Sequence, residues 1–437
     1  MNILLVGDFR PAANYGSIAT TECLLNLIYP LLSERDELRI IDRRSYDRPT
    51  PEDGFHDVPV GTLRKVARRI VPLRIRLMLR HKRISEGYDL DEYRTHEPAP
   101  FLYREFEDYS KQMLNEGGGI SAYEKKLLEW ADFVFVNGEG TIVHGTDHYG
   151  VFNRGARYTI WMSWLAKEVF HKPTCLVNMT VDPGNLDGWE MIKNVFPKID
   201  YLCTREPLSR QKLIEHGVNN SKYVPDALFS YKPAGDWKPT KYLSSVIDFS
   251  KPYIVLGDST ALNSNIYQSA VRWDIVSIYT CLFNKLKKAV PQIVFLDGFN
   301  GKNQKVNEFI KKNGINPIRL SNTNYHDLYH VFEHSSMFIS GRWHASILAT
   351  LSSTPVLLYG SDSCKTNGLY AILNYKYPFF ETSSLPLHLD DVIDNVRLIL
   401  KDEGLRGMIH EKVKKAAIES TQNVSYLKDY LYMHRGR

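Results

Sequence analysis

Residues 336–370 read S-M-F-I-S-G-R-W-H-A-S-I-L-A-T-L-S-S-T-P-V-L-L-Y-G-S-D-S-C-K-T-N-G-L-Y, and the order of residue types in this run decides the fold. Residues 337–340 are a short apolar run, the pattern of a buried parallel strand. Gly341 breaks it. Ile347, Leu348 and Leu351 then recur at helical spacing, so a helix is expected from about Arg342. Thr354-Pro355 ends that helix, and V-L-L-Y at 356–359 reads as the next strand. In such a strand–turn–helix–strand unit the loop after the strand opens at the carboxyl edge of the sheet, where α/β folds bind ligands. Arg342 and His344 fall in the first helical turn. Helix-start amides and the Arg342 guanidinium can share one anion, and His344 titrates in a range suited to proton transfer. The plainer alternative is a surface Arg-x-His pair.

The same alternation runs outward in both directions. Residues 3–6 form a first strand ended by Gly7-Asp8, and F-R-P-A-A-N-Y-G-S leads into a helix over 18–32. No G-x-G-x-x-G follows the strand, so a dinucleotide fingerprint is absent. Residues 38–41 are the expected second strand. Residues 133–136 are a buried strand ending in N-G-E-G-T-I-V-H, whose glycines let the backbone approach a ligand. Residues 161–170 read as a helix, 174–178 as a strand ending in the loop 181–184, and 199–203 as a strand entering T-R-E-P-L-S-R-Q-K-L. Residues 234–252, rich in Pro, Lys, Ser and Asp, break the rhythm as a linker. Strands at 253–256, 293–296 and 317–320 and helices at 273–290, 306–313 and 325–335 make a second half. Short apolar pieces at 371–373 and 377–379 and helices at 389–401 and 405–420 complete it. The expectation is α/β: two Rossmann-like doubly wound domains, residues 1–235 and 236–437, with a cleft between them. A basic helical insert is expected at about 43–130 in the first.

Composition bounds the function. The chain has 437 residues, 43% hydrophobic and 12% aromatic, with a formal charge of +5, too mild to argue for nucleic acid. Cys23, Cys175, Cys203, Cys281 and Cys364 form no C-x-x-C pair, which suits a reducing cytoplasm and gives no zinc or disulfide pattern. The opening M-N-I-L-L-V-G-D is too short for a signal peptide, and no run approaches a membrane span. Residues 62–84 carry nine Lys/Arg and no acid, with apolar residues at helical spacings. This is either a helix packed by its apolar face or a peripheral contact with an anionic membrane surface.

The run G-R-W-H-A-S-I-L-A-T-L, then T-P-V-L-L-Y, then Lys365 before Gly368, resembles the carboxyl-terminal motif of the polysaccharide pyruvyl transferase family. Asn14 and Gly16 match its N-x-G segment, with Ser17 where an acid usually stands. The turn at 137–140 matches its glycine-rich turn, with Glu139 in place of a glycine. Arg205, Glu206 and Ser209 match its R-[DE]-x-x-S segment. The resemblance implies a GT-B-like architecture and transfer of pyruvyl from phosphoenolpyruvate to a sugar, with no cofactor and no metal. It implies donor binding by Arg205, Arg342, Lys365 and Ser209, and catalysis by His344, Arg342 and Glu139. Asn14, Gly16, His144 and Asp182 are the candidates for the glycan or lipid-linked acceptor. Two alternatives stay open: a nucleotide-sugar glycosyltransferase on the same fold, and a membrane-associated scaffold without chemistry.

Overall fold

The computed structural model describes residues 1–10, 14–42, 102–108, 110–111, 122–143, 154–184, 186–264, 274–361 and 363–435. The expected basic segment 62–84 and His144 lie outside the described residues. Strands β1 (Asn2–Asp8), β2 (Glu37–Asp42), β3 (Phe133–Asn137), β4 (Thr174–Met179), β5 (Tyr201–Thr204) and β6 (Ser221–Tyr223) form one sheet in the order β2-β1-β3-β4-β5-β6. Strands β7 (Tyr253–Gly257), β8 (Gln292–Asp297), β9 (Ile318–Arg319), β10 (Met337–Ser340) and β11 (Val356–Leu358) form a second, in the order β11-β10-β7-β8-β9. Every pair is parallel. The two sheets are separate, which is the doubly wound architecture expected for each half.

Side-chain alternation explains why the first sheet is covered on both faces. Ile3, Leu5, Phe133, Phe135, Cys175 and Val177 point into one apolar cluster, while Leu4, Val6, Val134, Val136 and Leu176 point into another. A strand of period two whose every residue is apolar needs a layer on each side. Helices Ala122–Trp130 and Arg154–Trp164 cover the second face through Leu127, Leu128, Ala156, Ile160 and Trp161. Ala122–Trp130 therefore forms part of the layer that covers the sheet before β3. The helix expected at 161–170 starts earlier. It runs Arg154–Trp164 and continues over Leu165–Val169 as a wider π-helical turn. No strand forms at 377–379; one isolated bridge joins Tyr359 to Phe380.

The chain reverses its direction across the sheet between β1 and β3, and again between β7 and β10. Loops after these four strands therefore splay apart and leave a crevice at each carboxyl edge. Three closing helices follow: Leu389–Leu400, Leu405–Ser420 and Ser425–His434. The last lies against the first half. Tyr426 and Tyr430 pack on Phe133 with ring centroids 5.6 and 5.0 Å away, and the Tyr430 hydroxyl donates to Asp132 O at 3.3 Å. Among the described residues no helix is long and apolar enough to cross a membrane.

Candidate functional site

The two crevices receive two neighbouring side chains, Arg342 and His344, from the stretch 336–370. β10 ends at Ser340, Arg342 is the N-cap residue of the helix Trp343–Leu351, and His344 follows one residue inside. Two residues along a helix start point about 200° apart, and the two side chains part company. Arg342 turns toward the loop after β7. His344 turns toward the first half.

The Arg342 guanidinium is held on two of its three nitrogens. Nε donates to Asp258 Oδ1 at 2.5 Å and Nη1 to Thr260 Oγ1 at 2.9 Å. The group lies 4.3 Å over the Phe299 ring, and buried Nη2 has no hydrogen-bond partner among the described residues. Burial pushes the Asp258 carboxyl up, with Arg342 pulling it back and Asp297 adding to the rise. Tyr15, from the first half, is near enough to feel both Arg342 and Asp258. A cation fixed on two nitrogens with a third left over is arranged to accept an anion.

His344 enters a cluster made by the first half. Its Nε2 lies 3.2 Å from Glu139 Oε1, 3.4 Å from Arg205 Nη1 and 3.9 Å from Asp226 Oδ2. Arg205 Nη1 donates to Asp226 Oδ2 at 3.0 Å, and its Nε to Thr180 Oγ1 at 2.8 Å. Asp226 also accepts from Trp343 Nε1 at 2.9 Å, Thr20 Oγ1 at 2.6 Å and Leu228 N at 2.9 Å. Glu139 sits at a positive φ of 42°, accepts from the Gly140 amide, and takes the Ser17 hydroxyl at 3.3 Å. Gly16 closes the other side of the imidazole: a Cβ there would stand 2.3 Å from His344 Nδ1. The glycine of N-x-G is thus required by contact with the histidine. Asn14 caps the helix Tyr15–Ile28, its Oδ1 accepting from Gly16 N at 3.1 Å.

Charge state follows from these contacts. Burial drives the His344 pKa down to about 4; Glu139 and Asp226 oppose the fall, and Arg205 and Lys365 add to it. The imidazole is neutral at pH 7. Burial would raise Glu139, but Arg205, His344 and the Gly140 amide outweigh it and hold the carboxylate below its usual range. Asp226 is held low for the same reason. An ionised Glu139 only accepts and the Arg205 guanidinium only donates, so the two compete for Nε2: its protonated form faces the carboxylate and its unprotonated form accepts from Arg205 Nη1.

The structure thus brings together His344, Glu139, Arg205 and Gly16, with Lys365, first residue of the helix Lys365–Leu373, close enough for its charge to act on His344 and Glu139. Arg342 stands apart from this cluster. Ser209 is fully buried; it donates to Glu206 and accepts from Val181 N at 2.7 Å, which fixes the turn that carries Arg205. Asp182 is paired with Lys212 at 2.5 Å and accepts from Cys364 N at 3.1 Å, a link between the halves. Sequence reasoning missed Asp226, Asp258, Thr180 and Trp343 as members of the site. Asp258 follows a buried strand in Y-I-V-L-G-D, and that position was the signal. Among the described residues no group of three or more His, Cys, Asp or Glu is arranged to hold a metal ion.

Two parallel doubly wound sheets, each with a crevice at its carboxyl edge, define a GT-B-like protein. Solved structures agree on the fold. MnaA of S. aureus, determined with UDP, covers 99% of this chain and 97% of its own at 11% identity, with a TM-score of 0.52. HepE of Anabaena, determined with UDP and glucose, covers 100% of both chains at 12% identity and a TM-score of 0.51. UGT71G1 of Medicago truncatula, determined with UDP-glucose, covers 98% of both at 11% identity and a TM-score of 0.50. No curated protein sequence matches the chain. The polysaccharide pyruvyl transferase family model matches residues 14–363, most of the chain, and the chain belongs to that family of enzymes.

Proposed function

We propose that the chain moves the pyruvyl group of phosphoenolpyruvate onto two hydroxyls of a sugar in a cell-surface polysaccharide or its lipid-linked precursor. The products are a pyruvate ketal and phosphate. The observation that carries this reading is the buried His344–Glu139–Arg205–Asp226 cluster, built from both halves, in a chain of this family. The donor brings a phosphate and a carboxylate, and Arg205, Arg342 and Lys365 are the fixed cations for them. A proton added to the methylene carbon makes C2 electrophilic. One sugar hydroxyl attacks C2 and releases its proton; the C2–O bond to phosphate breaks; the second hydroxyl closes the ketal. One hydroxyl proton makes good the proton given to carbon, and the other leaves with phosphate.

His344 and Glu139 are the acid–base pair in this scheme. Without a bound anion, burial keeps His344 neutral. A donor anion beside it offsets Arg205 and Lys365 and favours the imidazolium, so the acid form is made when the donor binds. Thermal-shift measurements test the reading. Phosphoenolpyruvate should stabilise the protein by roughly 2.7 kcal/mol at a hundred times its Kd. Stabilisation by a UDP-, GDP- or CMP-sugar in its place would overturn it in favour of glycosyl transfer, the reading that the UDP bound to the fold neighbours favours.

The basic segment 62–84 adds peripheral attachment to an anionic membrane surface, where lipid-linked acceptors are met. Each cation near such a surface contributes about 1 kcal/mol, falling with salt. Neutralising Arg68, Arg69, Arg74 and Arg76 together should release the protein from anionic vesicles in sedimentation; unaltered binding would make the segment structural.

A further inference from the structure

Beside the His344 cluster, the loop after β4 and the helix Pro207–Glu215 border a second depression of about 470 Å³, lined by Asp182, Leu186, Trp189, Lys212, Glu215 and His216 among others. Trp189 stacks on His216 with ring centroids 3.5 Å apart and 3° between planes, which holds the indole in one orientation. Leu186 is 85% exposed. Around the rings stand two carboxylates and an ammonium, those of Asp182, Glu215 and Lys212. A pyranose ring has matching needs: its C–H face packs on a flat aromatic ring, and its rim of hydroxyls takes polar partners.

Backbone pairing sets how far this depression lies from the cluster. Thr180 N donates to Glu139 O at 3.0 Å and Asp182 N to Ile142 O at 2.9 Å, so the loops after β3 and β4 run side by side. Asp182 is two residues beyond Thr180, which at strand rise places the rim of the depression roughly 7 Å from Glu139. Through Oδ2, Asp182 also accepts from Cys364 N at 3.1 Å, next to Lys365. Depression and cluster therefore share a wall to which both halves contribute.

We infer that the depression is an acceptor subsite that holds the sugar unit adjacent to the one that reacts. The inference rests on the reading of the chain as acting on a saccharide. Trp189 is its platform, and Asp182, Lys212 and Glu215 are its hydroxyl partners.

Saturation-transfer NMR on the full chain tests it, with disaccharides of glucose, galactose, mannose and N-acetylglucosamine as probes. At least one disaccharide should receive saturation. That transfer should be lost, or the affinity lowered about tenfold, in Trp189→Ala and kept in Trp189→Phe. Leu186→Ser, at a position exposed enough to leave folding untouched, should weaken binding in the same direction. Transfer to none of the disaccharides, or equal transfer to wild type, Trp189→Ala and Leu186→Ser, overturns the subsite. Stabilisation by phosphoenolpyruvate, read on the same proteins, separates the two claims. A wild type that binds disaccharide but ignores phosphoenolpyruvate sinks the donor reading and leaves the subsite standing. One that responds to phosphoenolpyruvate, with disaccharide binding indifferent to Trp189 and Leu186, does the reverse.

Discussion

Arg342 and His344 stand two positions apart and do different work, because a helix start sends them to opposite sides. Arg342 is clamped by Asp258 and Thr260 and keeps Nη2 for something else. A lysine has one nitrogen, which cannot both pair with Asp258 and reach an anion. Arg342→Lys should therefore raise the apparent donor Kd by roughly 10- to 100-fold, the worth of a charge-assisted hydrogen bond. His344→Gln keeps a hydrogen-bonding side chain in the cluster and removes only the titration. Its donor binding should stay near normal while turnover falls on the order of 10²- to 10⁴-fold. Isothermal titration with phosphoenolpyruvate beside steady-state kinetics separates the two. Equal effects of both variants on binding and turnover would mean one undivided role. Asp226 shows what a linear reading cannot reach. Its five close partners are Arg205, Trp343, Thr20, Leu228 and His344, and they come from four separate segments. Nothing in Y-V-P-D-A-L-F announces them.

Elements explain which parts of the site were legible. Apolar runs such as I-L-L-V, F-V-F-V and M-F-I-S are buried on both faces, so they identify parallel strands without help from their neighbours, and the residues just after them fall in the crevices. That placed Glu139 and Arg205 in the turns just after strands, and Gly16, Arg342 and His344 at the starts of the helices that follow. Helices that escaped include Leu186–Val195, Lys241–Val246, Lys365–Leu373 and Ser425–His434. The first buries Gly188, Met191, Ile192 and Val195 at helical spacing, a stripe too short to stand out beside the turn at 181–184. Gly16 gives the element-scale test. Alanine in place of glycine within a helix normally adds up to about 1 kcal/mol of stability. Here the added methyl would meet His344 Nδ1 at 2.3 Å and its Cβ at 2.5 Å. Gly16→Ala should therefore lower Tm and reduce turnover by about tenfold or more. A higher Tm with unchanged turnover would show that the imidazole can step aside, and that the N-x-G glycine has another reason.

At the scale of the whole molecule the two halves share one continuous apolar cluster, running from Ile3 and Leu24 through Ile254 and Leu348 to Leu427 and Leu431. Embedded against it is a charged cluster whose members come from both halves, so its protonation bears on the stability of the entire fold. His344 has a folded pKa of about 4 against an ordinary 6.5. Below pH 6.5 the unfolded chain binds a proton that the folded chain refuses, and stability falls until pH reaches about 4. Glu139 and Asp226 are held below their usual values, so their contribution is present above the ordinary carboxylate range and is lost only as pH falls through lower values. Glu206 and Asp258 are raised by burial and act in the opposite sense, gaining protons in the folded state first. Subtraction isolates the histidine: urea unfolding of wild type and His344→Gln, each at pH 7 and pH 5, cancels the carboxylates common to both. Wild type should lose about 2 kcal/mol more than the variant over that interval. A wild type that loses less than the variant, or gains stability as pH falls, would mean that the folded protein holds the His344 proton more tightly than the unfolded chain and already carries it at neutral pH. Its proton would then be in place before any donor arrives, and the coupling between donor binding and formation of the acid would have to be abandoned.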